Sequence, residues 1–158
     1  MRYYILAVAV ILLDQWTKWL VAAKMEIGES IPVWTGVLSI TSHRNRGAAF
    51  GILQGRMWLF YIITVVVVIG VIYYLQTQGR KQPLLGIALG LVLGGAVGNF
   101  IDRLWRGEVV DFIYVSIINF PIFNVADSSL CIGVALIFIH TLADAKKGST
   151  HGDSYTNR

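Results

Sequence analysis

Two aspartates, Asp111 and Asp127, lie in the runs VVDF (109–112) and FNVAD (123–127), on either side of one turn between two stretches apolar enough to cross a bilayer. A carboxylate near lipid costs roughly 2.5–3.5 kcal/mol on insertion scales, so a short membrane chain that keeps two of them has a use or a partner for each. Three uses fit the residue types: an acid–base pair acting on a water, structural partners of Arg103 or Arg106, or steps on a cation pathway. A helix end and a helix start facing one another across a short connection would suit a dyad, with Asp127 about five residues into its helix. Spacing alone leaves all three open.

The elements that position this pair follow from composition. The chain has 158 residues, 56% of them hydrophobic, and a mean hydropathy of +0.65, above the ordinary soluble range. Apolar stretches at about 3–22, 57–75, 84–101 and 122–143 each cover a hydrocarbon core of roughly 30 Å at about 1.5 Å per helical residue. The expected fold class is therefore an all-α membrane protein, one domain over 1–158, with four transmembrane helices, because lipid leaves a single-chain backbone few other ways to satisfy its polar groups. Within the long connection from about 24 to 56, SIPVWTGVLSITS (30–42) reads as two β-rich segments around Thr35-Gly36, weakened by Pro32. It predicts a small extracytoplasmic sheet between the first two helices. Residues from about 144 to 158 read as a cytoplasmic tail.

Lysine and arginine divide evenly between the two faces, so the positive-inside rule does not orient the chain by count. Arg80 and Lys81 sit in the plain connector QTQGRKQP (76–83), whereas Arg44, Arg46, Arg103 and Arg106 lie among Asn, Gly and Asp. Both termini are therefore expected in the cytoplasm. Trp16, Trp19, Trp34, Trp58 and Trp105 mark the opposite interface, and Tyr3, Tyr4, Tyr73 and Tyr74 the terminal one. The net charge of +4 is that of membrane-flanking cations, with no basic and aromatic patch for nucleic acid. Cys131 is the single cysteine, which excludes an intrachain disulfide and a cysteine zinc site. His43, His140 and His151 are too dispersed to meet on a metal.

Other polar residues have structural and functional readings side by side. Asp14 and Lys18, at i and i+4, share a helix face and can neutralise each other where lipid would penalise either alone. They also continue the first apolar stretch in a way a cleaved signal peptide would not need. Asp102 and Arg103 end the third helix, with Asn99 one turn earlier, where they could be solvated or could orient neighbouring backbone and carboxylates. Gly86, Gly90, Gly94 and Gly98 form a bare ridge for close helix packing. Bulk at Gly98 is expected to damage the site, and bulk at Gly86, far from the dyad, to be tolerated better. Rival chemistries are a Ser–Lys peptidase using Ser128 or Ser129 with Lys18, and a channel lined by Asp14, Asp102, Asp111 and Asp127.

DQWTK (14–18), RNRGAAF (44–50), GGAVGNFIDR (94–103), VVDF and FNVAD together resemble the lipoprotein signal peptidases of bacteria, signal peptidase II, in the family's order over essentially the whole chain. The resemblance implies an aspartic endopeptidase of the bacterial cytoplasmic membrane that needs no cofactor or metal. Its partners would be membrane lipid and a lipid-modified prolipoprotein, cut just before the diacylglyceryl cysteine near the extracytoplasmic face. It would function as a monomer. By motif, Asp111 and Asp127 match the catalytic aspartates. Asp14, Lys18, Asn45, Gly47, Asn99, Asp102, Arg103, Asn124 and Ala126 match the supporting positions.

Overall fold

The structure, a computed structural model, describes residues 1–47 and 56–152, with side chains to residue 146. The final three residues of RNRGAAF and the end of the tail lie outside the described residues. Among those described, four helices are long and apolar enough to cross a membrane: α1 (Arg2–Lys24), α2 (Met57–Tyr74, extended by a π-helical turn Leu75–Gly79), α3 (Pro83–Arg106) and α4 (Val125–Gly152). α3 is the centre of the bundle, buried along most of its length, while α2 has no buried residue in its α-helical stretch. In lipid such an outward apolar face carries no penalty, so a single small-residue helix suffices as the core.

The third helix begins on Pro83, whose missing N–H is no loss at a helix start. It continues past the expected end at 101 and stops at Gly107, which takes the left-handed φ of 69° that closes a helix C-terminus. Asp102 and Arg103 lie in its last turns, at the helix end where the sequence put them. α4 starts at Val125 instead of 122 and continues through residues 144–152, which the sequence suggested were tail. Polar composition masked that extension, since helix propensity in Ala, Asp and Lys carries no hydrophobic signal.

The sheet has three antiparallel strands in the order β1 (Ser30–Trp34), β2 (Leu38–Asn45) and β3 (Val109–Val115). The hairpin around Thr35-Gly36 is as expected, with Gly36 at φ 78° and a register shift between Pro32 and Trp34, where proline withholds its ladder N–H. β3 is the correction: the stretch after α3 is not a plain turn but a strand that carries Asp111. Val110 and Phe112 on one face pack with Val21, Met25, Ile40 and Val125, which clamps the sheet to α1 and α4.

The free edge of β3 is closed by side chains and a returning segment. The Val110 N–H donates to Asp102 Oδ2 at 3.1 Å, its carbonyl accepts from Asn124 Nδ2 at 3.4 Å, and the Phe112 N–H donates to the Phe123 carbonyl at 3.0 Å. An edge that lipid or water would otherwise have to satisfy is thereby tied to α3 and to the start of α4.

The glycine ridge works along its whole length. A Cβ on Gly98 would lie 2.7 Å from Asp14 Oδ2, and one on Gly90 would lie 2.9 Å from the Tyr3 carbonyl. One on Gly86 would enter the buried Tyr3 ring and come within 2.6 Å of the Gly79 carbonyl. The expectation that Gly86 tolerates bulk is therefore overturned, because its neighbours are an aromatic ring and backbone. Gly86→Leu should lower the melting temperature in detergent at least as much as Gly98→Leu, by an amount set by overpacking of about 1–3 kcal/mol. Gly98→Leu should add a loss of activity out of proportion to its melting shift, since it strikes Asp14.

Candidate active site

Asp111 and Asp127 line one cavity of about 440 Å³. Asp111 comes from β3, where Val109 and Asp111 face the cavity and Val110 and Phe112 face the apolar cluster. Asp127 is the third residue of α4, in its first turn and not five residues in. Its position is fixed by a reciprocal cap: Asn124 Oδ1 accepts from the Asp127 N–H at 2.9 Å, and Asp127 Oδ2 accepts from the Asn124 N–H at 3.2 Å. Asn-x-x-Asp thus does here what Ser-x-x-Glu does in a capping box. An acidic group in the first turn is also favoured by the helix dipole.

Each of the four carboxylate oxygens receives one N–H. Asn45 Nδ2 donates to Asp111 Oδ2 at 3.0 Å and Asn124 Nδ2 to Asp111 Oδ1 at 2.7 Å. Asn99 Nδ2 donates to Asp127 Oδ1 at 2.7 Å, and the capping N–H takes Oδ2. Asn124 therefore touches both acids. Burial and then the neighbouring charge of Asp127 push the Asp111 carboxyl up to about 6 against its ordinary 3.8, with the Asn45 and Asn124 bonds and Lys18 pulling the other way.

Behind the pair is a fully buried ion cluster. Lys18 Nζ meets Asp14 Oδ2 at 2.8 Å, Asp102 Oδ2 at 3.2 Å and Asn99 Oδ1 at 2.8 Å, which uses all three ammonium donors. Asp14 Oδ1 accepts the Ala126 N–H at 2.9 Å, and Asp102 Oδ2 accepts the Val110 N–H. Each buried acid thus holds the backbone of the residue just before one of the two cavity aspartates. Ala126 is fully buried where α3 and α4 come closest, its Cβ 3.3 Å from where a Gly98 side chain would begin. A larger residue has no room there.

Gly47 is held by its N–H to Asn45 Oδ1 at 2.9 Å and accepts from Arg103 Nη2 at 3.4 Å. All eleven residues singled out in the sequence are therefore in or directly behind one site. Gln15 was missed: its Nε2 donates to the Gly98 carbonyl at 3.0 Å and to Asp102 Oδ1 at 3.1 Å. Its place beside Asp14 on the face of α1 toward α3 was the available signal. Phe120, Ile122, Phe123 and Leu130 form the apolar wall of the cavity; nothing in their order marked them.

The rival chemistries lose their geometry. Ser128 Oγ donates to the Asn124 carbonyl and Ser129 Oγ to the Leu91 carbonyl, while Lys18 is occupied by acids. The same ammonium, in the middle of the carboxylates, would repel a passing cation. Among the described residues, no three His, Cys, Asp or Glu side chains come together as metal ligands.

The sequence profile of the signal peptidase II family matches residues 6–143. Lipoprotein signal peptidases of Halalkalibacterium halodurans and Bacillus subtilis are 61% and 60% identical, each aligned over 93% of this chain and over 96% and 97% of their own length. That of Anoxybacillus flavithermus is 61% identical over 99% of this chain and 96% of its own. A bacterial membrane enzyme solved by the in meso method superposes with a TM-score of 0.89 at 47% identity, over 92% of this chain and 90% of its own.

Proposed function

The chain belongs to the signal peptidase II family, and on that premise we propose that it is an aspartic endopeptidase in which Asp111 and Asp127 share one proton and cut diacylglyceryl prolipoproteins just before the lipidated cysteine. The observation that carries this reading is one cavity lined by both carboxylates, by the polar Asn45, Gly47, Asn99 and Arg103, and by the apolar Phe120, Ile122, Phe123 and Leu130. Peptide and acyl chains have different needs, and the polar and apolar lining residues meet them.

Two carboxylates on one cavity, Asp111 buried and Asp127 half-buried, do not both ionise cheaply, so the pair holds a single proton. The ionised member takes a proton from water as the water oxygen attacks the scissile carbonyl; the protonated member donates to the carbonyl oxygen. Collapse of the tetrahedral species returns a proton to the leaving amine. No covalent bond to the enzyme forms. The scissile peptide has to leave any helical form, since an intrahelical hydrogen bond and neighbouring turns shield its carbonyl. Asn45, Asn99 and Arg103, which line the cavity, then meet the freed backbone groups. The exposed tryptophans Trp16, Trp19, Trp34, Trp58 and Trp105 support a site at the extracytoplasmic interface with both termini cytoplasmic. A site complete within one chain supports a working monomer.

The test is a gel-shift assay with protein reconstituted in lipid and a purified diacylglyceryl prolipoprotein, beside the same precursor without its lipid. Cleavage of the lipidated form, unaffected by serine-acylating reagents, is expected; cleavage indifferent to the lipid would overturn the substrate assignment. kcat/KM should follow a bell in pH, falling on the alkaline side near pH 6 as Asp111 gives up the shared proton. Substrate expels water and deepens burial, so the alkaline limb of kcat should lie at higher pH than that of kcat/KM. A flat profile with protein stability controlled would contradict a shared proton.

A further inference from the structure

Arg103 is the cationic side chain among those lining the cavity, and its anchoring is unusual. Nη2 reaches the Gly47 carbonyl at 3.4 Å and Nη1 the Asn99 carbonyl at 3.5 Å, both long, while the buried Nε has no partner among the described residues. Hydrogen bonds of that length do not hold a guanidinium in place. What holds it is a ring: the guanidinium carbon lies 4.6 Å over the centroid of Phe60 in the first turn of α2. The next residue grips the same arginine from behind, Tyr61 Oη donating to the Arg103 carbonyl at 3.0 Å, with the Tyr61 ring edge-on to Phe100. These two adjacent aromatics bring α2, a helix with no buried residue over Met57–Tyr74, to the site.

We propose that Phe60 is a positioning residue for the cleavage reaction: its ring fixes the Arg103 guanidinium beside the aspartate pair while leaving its N–H donors free for substrate. This rests on the dyad reading above. A carboxylate or a second set of strong acceptors would hold the guanidinium equally well but would neutralise it or occupy its fork. An aromatic face attracts the cation without using a single donor. Charges facing this guanidinium are Asp127 from α4, Asp111 from β3 and Asp102 from α3, with the Tyr61 hydroxyl on α2; Lys18 from α1 faces Asp111. His43, opposite Asp111 in the ladder, is exposed. In that setting a fixed positive charge favours the ionised member of the pair.

The experiment uses the full chain in lipid vesicles and the lipidated precursor. Phe60→Leu and Phe60→Met keep an apolar side chain but remove the π face. Each should lower kcat/KM on the order of tenfold and move the whole pH profile toward higher pH, whereas Phe60→Tyr should restore both rate and profile. In an Arg103→Gln background the same changes should cost nothing more. A role in packing alone would lower the melting temperature and the rate without moving the profile, and its effect would add to Arg103→Gln. Profiles of Phe60→Leu and Phe60→Met that superpose on the parent's, additive loss, or a Phe60→Tyr as impaired as Phe60→Leu would each overturn the proposal. Turnover by Asp111→Asn in the same assay would instead overturn the dyad reading beneath it.

Discussion

Asp111→Asn is expected to fold, to melt at a higher temperature than the parent at pH 8, and to cleave prolipoprotein between about a hundredfold and ten-thousandfold more slowly. The loss of rate follows because an amide neither accepts nor delivers the proton. The gain in stability follows from linkage. Below pH 3.8 Asp111 is protonated in both folded and unfolded chains; as pH rises toward 6, the unfolded chain ionises while the folded one keeps its proton, and folding stability falls. Above about 6 the penalty is complete. At about 1.36 kcal/mol per pH unit it is roughly 3 kcal/mol, less whatever the Asn45 and Asn124 bonds lose to an amide. Melting curves of parent and Asp111→Asn should therefore converge near pH 4 and diverge toward pH 8. Asp127→Asn should be equally slow while retaining its cap, since an amide oxygen still accepts the Asn124 N–H. The double variant should be little slower than either single, as for residues acting as one unit. Ordinary turnover by a single variant, or a melting difference constant with pH, would contradict this account.

Lys18→Met should be the most destabilising single change at the buried cluster. It leaves Asp14 and Asp102 facing one another with no cation between them, and breaking a buried pair in this way costs about 3–5 kcal/mol. Charge explains the effect better than volume, so a second variant separates them: Lys18→Met with Asp14→Asn and Asp102→Asn should regain much of the melting temperature. Activity should not return with it, because the carboxylates that grip Ala126 and Val110 by their N–H groups would be weaker neutral acceptors and the two aspartates would lose their shared reference. A stable Lys18→Met, or a triple variant no better than the single, would show that the ammonium is not the keystone of the cluster.

The sequence disclosed the four spans because length and hydropathy encode them directly, and the Asp14–Lys18 pair because i,i+4 spacing fixes a shared face. It disclosed β1 and β2 through two β-rich segments around Thr35-Gly36. β3 was hidden: VVDFIYV is buried on both faces in its first half, and a short apolar run without alternation does not announce a strand. For the same reason Asp111 looked like part of a helix–helix turn. The role of Asp102 was half legible, since its partner Val110 N–H is a backbone group in an element the pattern did not reveal. Phe60 carried no signal at all, because one aromatic in an apolar helix looks like any lipid-facing ring.

The tie between Asp14 and the Ala126 N–H spans 112 positions of chain. During synthesis α1 leaves the ribosome first, whereas Asp111 and Asp127 come late, and the Ala126 N–H just before Asp127 finds its acceptor only when α4 meets that early helix. The geometry of the aspartate pair is thus a property of the completed insertion and not of any intermediate with fewer spans. On the dyad reading proposed above, a chain threaded only halfway into the bilayer would lack a competent pair.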